Sequence, residues 1–232
     1  MTTTSPRSIR VSPETRGSND TLRVTEIFFS LQGEARSVGR PTTFVRLTGC
    51  PLRCRYCDTA YAFTGGSTLP IDDICRRVEE HPSRHVTVTG GEPLAQPGVN
   101  VLMSRLADAG YAVSLETSGA LDIAAVDTRV SRVVDFKTPG SGEAHRNRFE
   151  NVRHLRVQDQ VKFVICHRVD YEWAKACCAE HDLTNRVDDV LFSPSAGQMD
   201  PTELADWILA DGLDVRFQIQ LHKVLWGDEP GR

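Results

Sequence analysis

Short apolar runs, rich in β-branched and aromatic residues, alternate along the chain with segments whose apolar residues recur every three or four positions. Compact apolar runs are typical of strands, and the longer period is typical of amphipathic helices. The predicted strands are 22–29, 42–48, 85–89, 111–117, 132–137, 160–166, 189–193 and 215–221. The predicted helices are 70–81, 98–110, 168–183 and 200–212.

This alternation, with short connections, predicts an α/β fold whose sheet is largely parallel, built either as an open layer or as a partial barrel. The sequence has no internal repeat and no clear linker, so we expect a single domain over residues 22–232. Residues 1–21 are polar and aperiodic, which predicts a disordered tail. The polar, irregular stretch 138–158 is the best candidate for a mobile loop or lid.

Polar and glycine residues follow the predicted strands at the point where each one ends. In a parallel α/β sheet the carboxyl ends of the strands share one edge, where ligands bind. We therefore expect the following groups to converge on one site: Gly90, Gly91, Glu92, Glu116, Thr117, Asp135, Lys137, Ser193, Gln220, His222 and the cysteine-rich loop after residue 48.

Composition narrows the classes of partner. The chain carries 27 basic and 31 acidic residues, for a net charge of −4. A nucleic-acid-binding surface normally needs a basic excess, so we expect no direct binding of nucleic acid. No apolar run is long enough to cross a bilayer, and the N-terminus lacks the apolar centre of a signal peptide. We therefore expect a cytoplasmic protein without a membrane partner.

Three of the seven cysteines, Cys50, Cys54 and Cys57, lie within eight positions. A structural zinc site normally takes four ligands from two separated pairs, and this cluster has no second pair. His81 or His85 could complete such a site, although neither belongs to a paired metal spacing. The remaining cysteines sit singly or side by side in predicted elements and are best interpreted as small buried apolar residues: Cys75, Cys166, Cys177 and Cys178.

An iron–sulfur cube usually takes four thiolates, so three would leave one iron open to a small molecule. The spacing Cys50-x3-Cys54-x2-Cys57, with Tyr56 before the last cysteine, resembles the radical S-adenosylmethionine (SAM) superfamily. The segment TGGEP (89–93) resembles the glycine-rich motif that meets the SAM amino group in that superfamily. The resemblance implies a [4Fe–4S] cluster with three cysteine ligands, SAM at the open iron, and an incomplete TIM-like barrel as the radical SAM core.

The segments SLQGEA (30–35), FVRLTGC (44–50), CDTAYAF (57–63) and QLHKVLWG (220–227) resemble 7-carboxy-7-deazaguanine synthase of the queuosine and deazapurine pathway. The resemblance implies a carbon–nitrogen lyase that contracts 6-carboxy-5,6,7,8-tetrahydropterin to 7-carboxy-7-deazaguanine with loss of ammonia. Hydrogen abstraction at C6 of the pterin would start the reaction, and Mg²⁺ would assist it. The resemblance also implies a homodimer, an electron donor such as flavodoxin or ferredoxin, and only an indirect link to tRNA modification.

The same resemblance assigns roles residue by residue. Substrate contacts are implied for Leu31, Gln32, Gly33, Glu34, Arg46, Thr89 and His222, with Gln220 facing the same way. SAM contacts are implied for Tyr56, Gly91, Glu116, Asp135, Phe136, Lys137, Ser193, Pro194, Ser195 and Ala196. The cluster ligands are Cys50, Cys54 and Cys57, and Thr59 matches the magnesium-binding threonine.

Several of these assignments have a plainer alternative. Gly33 could be a loop glycine with solvated neighbours. Arg46 could simply pair with an acid, Thr59 could be a loop hydroxyl, and Glu116 could be a strand-end acid facing water. Gln220 and His222 could lie on an exposed edge. Two positions depart from the family pattern: Ala35 replaces the last glycine of its usual Gln-Gly-Glu-Gly, and the chain continues past the usual end to Arg232.

Two rival functions use the same cysteines. Another radical SAM enzyme, such as a glycyl-radical activase, would share the cysteine motif but lack the pterin-binding flanks and need a protein partner. A zinc-stabilised binding module would hold zinc in place of iron.

Overall fold

The structure is a computed structural model that describes residues 20–227, 229 and 231. Its strands are β1 (Thr21–Leu31), β2 (Pro41–Leu47), β3 (Ser67–Pro70), β4 (His85–Gly90), β5 (Ala112–Thr117), β6 (Ser131–Asp135), β7 (Gln160–Ile165), β8 (Asp189–Pro194) and β9 (Arg216–Phe217). Its α-helices are α1 (Ile71–Glu79), α2 (Val99–Asp108), α3 (Arg168–His181), α4 (Leu183–Arg186), α5 (Pro201–Asp211) and α6 (Leu221–Trp226). None of these helices has the length and apolar content needed to cross a membrane.

The described strands form one sheet in the order β3-β1-β2-β4-β5-β6-β7-β8-β9. Every neighbouring pair from β2 onward is parallel, whereas β1 runs antiparallel to both β2 and β3. The sheet does not close, because β3 and β9 remain as its edges. The fold is therefore the α/β architecture predicted from the sequence, in its incomplete-barrel form.

Alternation along the strands separates the core from the opposite face of the sheet. In β5, Val113 and Leu115 belong to the hydrophobic core, while Ser114 and Glu116 point the other way. The helices cover the core face, as in α1, whose residues Ile71 and Ile74 are fully buried. Polar side chains lie on the face of the sheet that the helices do not cover, and a ligand site can form on that face.

The strands differ from the prediction in several places, and β6 ends at Asp135 rather than at residue 137. β1 continues to Leu31, two residues beyond the prediction, and so carries the SLQGEA segment to the sheet edge. The short strand β3 was not predicted. The predicted strand 215–221 is reduced to β9 and followed by helix α6.

After β9 the chain turns toward the loop after β1. The backbone N–H of Gln218 still donates to the carbonyl of Phe192 in β8, at 3.0 Å, while its side chain bonds to that loop. The amide of Gln218 bonds both the backbone N–H of Ala35, at 2.7 Å, and its carbonyl, at 3.1 Å. The N–H of Leu221 then donates to the carbonyl of Gly33 at 3.0 Å, where α6 begins. These bonds connect the C-terminal segment to the loop after β1.

The stretch 138–158 is irregular, as predicted, but it is packed into the fold. It forms three short 3₁₀ helices (Pro139–Ser141, Ala144–Arg146 and Phe149–His154). Asn151 is fully buried and donates to the carbonyls of Gly119 and Leu121 at 3.0 and 2.8 Å. The buried ion pair of Arg132 with Asp159 holds the end of the segment. This packing does not support the prediction of a mobile lid.

Candidate active site at the carboxyl edge of the sheet

The carboxyl ends of the parallel strands surround a cavity of about 470 Å³. The strand-end groups predicted to converge line this cavity, from Gly90 and Gly91 through Glu116, Asp135 and Ser193 to His222. Glu92 does not, because its fully buried carboxylate is bonded to Thr117 and Ser118. Of the site residues implied by the resemblance, the following line the cavity: Leu31, Gln32, Gly33, Glu34, Arg46, Cys50, Cys54, Tyr56, Cys57, Thr59, Thr89, Gly91, Glu116, Asp135, Lys137, Ser193, Pro194, Ser195, Ala196, Gln220 and His222.

Phe136 is the exception. Its side chain is fully buried in the core, where its ring packs against those of Phe149 and Phe163 at 5.2 and 6.3 Å between centroids. Neighbouring residues in an extended chain point to opposite faces, so Asp135 and Lys137 reach the cavity and the residue between them cannot. Of the SAM contact that the resemblance implies for Phe136, the structure therefore excludes the side chain.

The three clustered cysteines are free thiols on one wall of this cavity, each half-buried. Burial raises the pKa of all three thiols, that of Cys54 to about 11, although the Lys137 ammonium opposes the rise. The thiols are therefore protonated at neutral pH unless a metal displaces the protons. The described residues contain no group of three His, Cys, Asp or Glu side chains that could hold a metal ion at one point. The irons of a cube lie at separate corners, and its thiolates need not share one point.

The glycine turn after β4 is pressed against the cysteine loop. The N–H of Glu92 donates to the carbonyl of Gly49 at 2.8 Å, and that of Gly91 donates to Leu47 at 3.1 Å. A Cβ atom at Gly91 would come within 2.2 Å of the Gly49 oxygen and 2.8 Å of the Cys50 Cβ. Only glycine permits this approach. The fully buried carboxylate of Glu92 accepts bonds from Thr117 and Ser118 and so holds the turn to the end of β5.

Two buried hydroxyls at the cavity lack a hydrogen-bond partner among the described residues. They belong to Tyr56, beside the cysteines, and Ser193, at the end of β8. Buried polar atoms are nearly always paired, so such atoms are typical of a site completed by a ligand. Together with three thiols on one loop, they fit a thiolate-bound cluster and a polar cofactor such as SAM. Cys50, Cys54 and Cys57 would hold the cluster.

The opposite wall is built from a network of uncharged and charged polar groups. The amide of Gln32 donates to Glu116 at 3.2 Å and to Thr87 at 3.1 Å, and Thr89 donates to Glu116 at 2.9 Å. Burial and the nearby charge of Glu34 raise the pKa of Glu116. The carboxyl group of Glu116 lines the cavity and is bonded there, so the alternative of an acid facing water is wrong.

Lys162 is a functional candidate that the sequence analysis missed. Its ammonium group lies at the cavity, in an ion pair with Glu34 and 3.8 Å from Asp135. Burial by itself would raise the pKa of Glu34, but the charge of Lys162 and the hydrogen bonds from Lys162 and Gln220 outweigh that effect, so the pKa is lowered. The signal was present in the strand QVKFVIC, where a lysine interrupts an otherwise apolar run.

Asp58 was missed as well, although it lies beside the last cysteine. Its carboxylate accepts bonds from the Thr59 hydroxyl at 2.7 Å and from Gln220 at 3.2 Å. Gln220 also donates to Glu34 at 2.7 Å, which joins this group to Lys162. Thr59 and Asp58 together offer hard oxygen atoms, the ligand type that Mg²⁺ takes in proteins.

Arg46 lines the cavity and also pairs with an acid. Its Nε donates to Glu26 at 2.7 Å, and Tyr61 donates to the same carboxylate at 2.7 Å. Arg46 is therefore an ion-pair partner that also lies at the cavity. Its guanidinium carbon also lies 5.7 Å from the centre of the Phe28 ring, which fixes its direction.

The C-terminal segment completes the cavity. His222 packs so closely on Gly33 that a Cβ there would lie 2.1 Å from its Nδ1. Burial lowers the pKa of His222, which favours the neutral imidazole. Gly227, Glu229 and Gly231 also line the cavity. Arg232 and most of the tail 1–21, which was predicted to be disordered, lie outside the described residues.

Known proteins agree with this geometry. The family model of the radical SAM superfamily matches residues 44–133, which span the cysteine loop and the glycine turn. A protein of Koribacter versatilis named 7-carboxy-7-deazaguanine synthase is 43% identical over 90% of this chain and 98% of its own length. A protein of the same name from Chlorobaculum tepidum is 42% identical over 90% of this chain and 96% of its own.

The chain belongs to the 7-carboxy-7-deazaguanine synthase family. As a radical SAM protein it is an enzyme of a class that uses a [4Fe–4S] cluster, SAM and a reductant. The solved structure titled as QueE from Escherichia coli resembles it with a TM-score of 0.69, over 87% of this chain and 95% of that one. At 23% identity this similarity concerns the fold, which it identifies as the incomplete barrel described above.

Proposed function

We propose that this protein is a radical SAM lyase that converts 6-carboxy-5,6,7,8-tetrahydropterin to 7-carboxy-7-deazaguanine with loss of ammonia. One observation carries the proposal: three free thiols of a single loop and the network of Gln32, Thr89 and Glu116 line the same cavity. A radical enzyme needs its metal cofactor and its substrate side by side in one enclosed place, and thiols beside a polar network in one cavity suit that need.

We further propose that Cys50, Cys54 and Cys57 bind the [4Fe–4S] cluster. Tyr56, Gly91, Asp135, Lys137 and the segment 193–196 bind SAM. When bound, the cluster and SAM supply the one-electron cleavage that starts the rearrangement. The rest of the chemistry asked of the chain is to orient the substrate and to exclude water.

On the substrate side, the Gln32 amide and the carboxyl groups of Glu34 and Glu116 suit the ring N–H groups and carbonyl of a pterin. The resemblance implies a SAM contact for Glu116, but we propose a substrate contact, because its carboxyl group accepts from Gln32 and Thr89. Buried polar groups of this kind discriminate strongly, because a ligand that leaves them unpaired loses affinity. The guanidinium of Arg46 suits the 6-carboxylate of the substrate. The raised pKa of Glu116 makes it the carboxyl group best able to hold a proton at the cavity.

Thr59 and Asp58 are the oxygen donors that we assign to Mg²⁺. Residues 22–232 would work as one domain of a cytoplasmic homodimer, with flavodoxin or ferredoxin as electron donor and no direct contact with nucleic acid. The exposed apolar residues Val224 and Leu225 of α6 support an interface near the cavity mouth. Light scattering at several protein concentrations tests the dimer.

The test of the function is anaerobic turnover of the iron-reconstituted protein with dithionite, SAM, Mg²⁺ and the tetrahydropterin. We expect a deazapurine product of the calculated mass and no product from Cys54→Ala. The matched control is Cys178→Ala, which removes a half-buried thiol from α3 and leaves the cavity intact. Cleavage of SAM without any deazapurine would instead favour another radical SAM reaction, such as that of a glycyl-radical activase. A colourless protein holding zinc would favour a binding module.

A further inference from the structure

The first strand of the sheet, β1, changes face at a single residue. Val24 lies in the hydrophobic core and is paired with Leu47 of β2, and the next paired residue of β1 is Glu26. Thr25 between them has no counterpart on β2 and forms a β-bulge. Because side chains alternate along a strand, one extra residue turns the side chains that follow it to the other face. Glu26 therefore lies on the cavity side of the sheet and not in the core.

Hydrogen bonds to the end of β2 fix this bulge. The hydroxyl groups of Thr25 and Thr48 are bonded to each other at 2.7 Å, and the N–H of Thr48 donates to the carbonyl of Arg23 at 2.9 Å. Bulges beside a site commonly re-aim one side chain of the strand. Here the bulge places Glu26 directly opposite Arg46 in the pairing of the two strands.

Glu26 holds the guanidinium of Arg46 from one side only. One oxygen of Glu26 accepts from Nε of Arg46 and from the hydroxyl of Tyr61, both at 2.7 Å. The ring centres of Phe28 and Tyr61 lie 5.7 and 5.9 Å from the guanidinium carbon and restrict its rotation. Within the described part of the chain, the two Nη groups of Arg46 form no hydrogen bond or ion pair. The edge of the guanidinium that these two groups form therefore remains for a ligand in the cavity.

We propose that Glu26 is a positioning residue that makes the site specific for a substrate with a carboxylate group, because it aims the remaining edge of Arg46 at that group. This inference deepens the proposed function and rests on it. A guanidinium binds a carboxylate through two parallel N–H···O bonds, and this geometry has to be held within narrow limits. The negative charge of Glu26 by itself would repel the same carboxylate. Positioning and charge thus act in opposite directions on substrate affinity, and substitutions of Glu26 separate them.

The test is anaerobic equilibrium titration of the iron-reconstituted protein, with SAM and Mg²⁺ but without reductant, so that no turnover occurs. Two ligands are compared: 6-carboxy-5,6,7,8-tetrahydropterin and its 6-methyl analogue, which lacks the carboxylate. In Glu26→Ala we expect the affinity for the carboxylated pterin to fall about tenfold or more, and the affinity for the methyl analogue to stay unchanged. Glu26→Gln keeps an acceptor oxygen for Nε of Arg46 and is expected to retain most of the affinity. Tyr61→Phe removes one donor to Glu26 and is expected to cause a smaller loss than Glu26→Ala.

The matched control is Glu172→Ala, which removes a carboxylate that is ion-paired with Arg168 on α3, outside the cavity. It is expected to leave both affinities unchanged. Unchanged or tighter binding of the carboxylated pterin by Glu26→Ala would show that charge dominates, and would overturn the proposal. An equal loss of affinity for both pterins would overturn it as well, because that result indicates general damage to the cavity. An unmodified protein that binds neither pterin would instead contradict the proposed function, and this inference with it.

Discussion

The two walls of the cavity are held together in different ways. The thiol wall, made of Cys50, Cys54, Cys57 and the turn at Gly91, is fixed by backbone hydrogen bonds and by a contact that only glycine allows. The charged wall, made of Gln32, Glu34, Glu116 and Lys162, is fixed by side-chain hydrogen bonds and ion pairs. Substitutions on the first wall therefore act through shape, and those on the second act through charge and pH.

The largest effect is expected from Gly91→Ala. The added Cβ would lie 2.2 Å from the Gly49 oxygen, so the cysteine loop has to move. We expect near-complete loss of iron after reconstitution, measured as iron per chain. Gly110→Ala is the control. Gly110 follows α2 with φ +89°, and an added Cβ would meet no atom within 4 Å, so the substitution adds only backbone strain. That strain is worth about 1 kcal/mol and leaves iron binding unchanged. Normal iron content in Gly91→Ala would contradict the shape-based account.

Lys162→Met is expected to have the next largest effect, on the charged wall alone. Removing one partner of a buried ion pair typically costs about 3–5 kcal/mol, which denaturant unfolding would detect. Without the ammonium, burial raises the pKa of Glu34 above its ordinary value, so its carboxylate form is recovered only as the pH rises. Substrate affinity in the variant is therefore expected to be weak at neutral pH and to increase with pH.

In the unmodified protein the dependence on Glu34 ionisation has the same sign but lies at lower pH. Its Glu34 pKa is lowered, so the ion pair stabilises the fold above the ordinary carboxyl pKa and this contribution is lost as pH falls through the folded value. Lys162→Arg keeps the charge and is expected to retain most of the affinity. Lys175→Met, which breaks more exposed ion pairs on α3, is expected to cost about 1 kcal/mol or less. A flat pH profile in Lys162→Met would refute the charge-based account.

Glu116→Gln is expected to have a smaller effect. The glutamine side chain keeps the shape of Glu116 but has an NH₂ group in place of one acceptor oxygen. That NH₂ group would face the donor group of either Gln32 or Thr89, so one of these hydrogen bonds is lost. One unmade buried hydrogen bond costs about 1–3 kcal/mol, so substrate affinity falls roughly tenfold. Equilibrium titration with the pterin measures this, and Glu180→Gln on α3 serves as the exposed control. Iron content is expected to stay constant, and its loss would show that the walls are not separate.

The smallest effect is expected at Ala35. It adopts φ +61°, a conformation that favours glycine, and its buried methyl group packs with Val133 and Leu191. Ala35→Gly relieves strain but loses this contact, so the stability change in thermal unfolding is expected to stay within about 1 kcal/mol. Ala35→Val is expected to destabilise the protein more, because a β-branched residue tolerates positive φ poorly. A large loss of stability in Ala35→Gly would show that the methyl contact dominates.

The sequence predicted the thiol wall better than the charged wall, for a physical reason. The cysteine loop and the glycine turn are local: their spacing alone sets their shape, and strand ends bring them to one edge. Lys162 was missed because its role depends on which face of β7 meets the cavity and on Glu34, 128 positions away in the chain. The end of β9 was missed for the same reason, since Gln218 bonds to Ala35 across the fold.

The resemblance covers Asp135, Phe136 and Lys137 as one segment. In an extended chain, however, successive side chains point to opposite faces, so the side chain of Phe136 points away from those of its two neighbours and packs on Phe163. Strand periodicity alone therefore predicts that its side chain points away from the face that Asp135 and Lys137 share. The packing of 138–158 does not support the predicted mobile lid. Its polar residues suggested exposure to solvent, whereas Asn151 and the nearby Asp159 are buried and hydrogen-bonded. Polarity alone does not distinguish an exposed loop from a segment that satisfies its polar groups internally.

The most direct measurement of the central claim is Mössbauer spectroscopy of protein reconstituted with ⁵⁷Fe, with and without SAM. Three thiols on one loop predict a cube with one iron that no side chain holds. We expect a [4Fe–4S] signal in which one iron site changes when SAM is added and the others do not. A signal that stays the same at saturating SAM, or a protein that takes up no iron, would contradict the account.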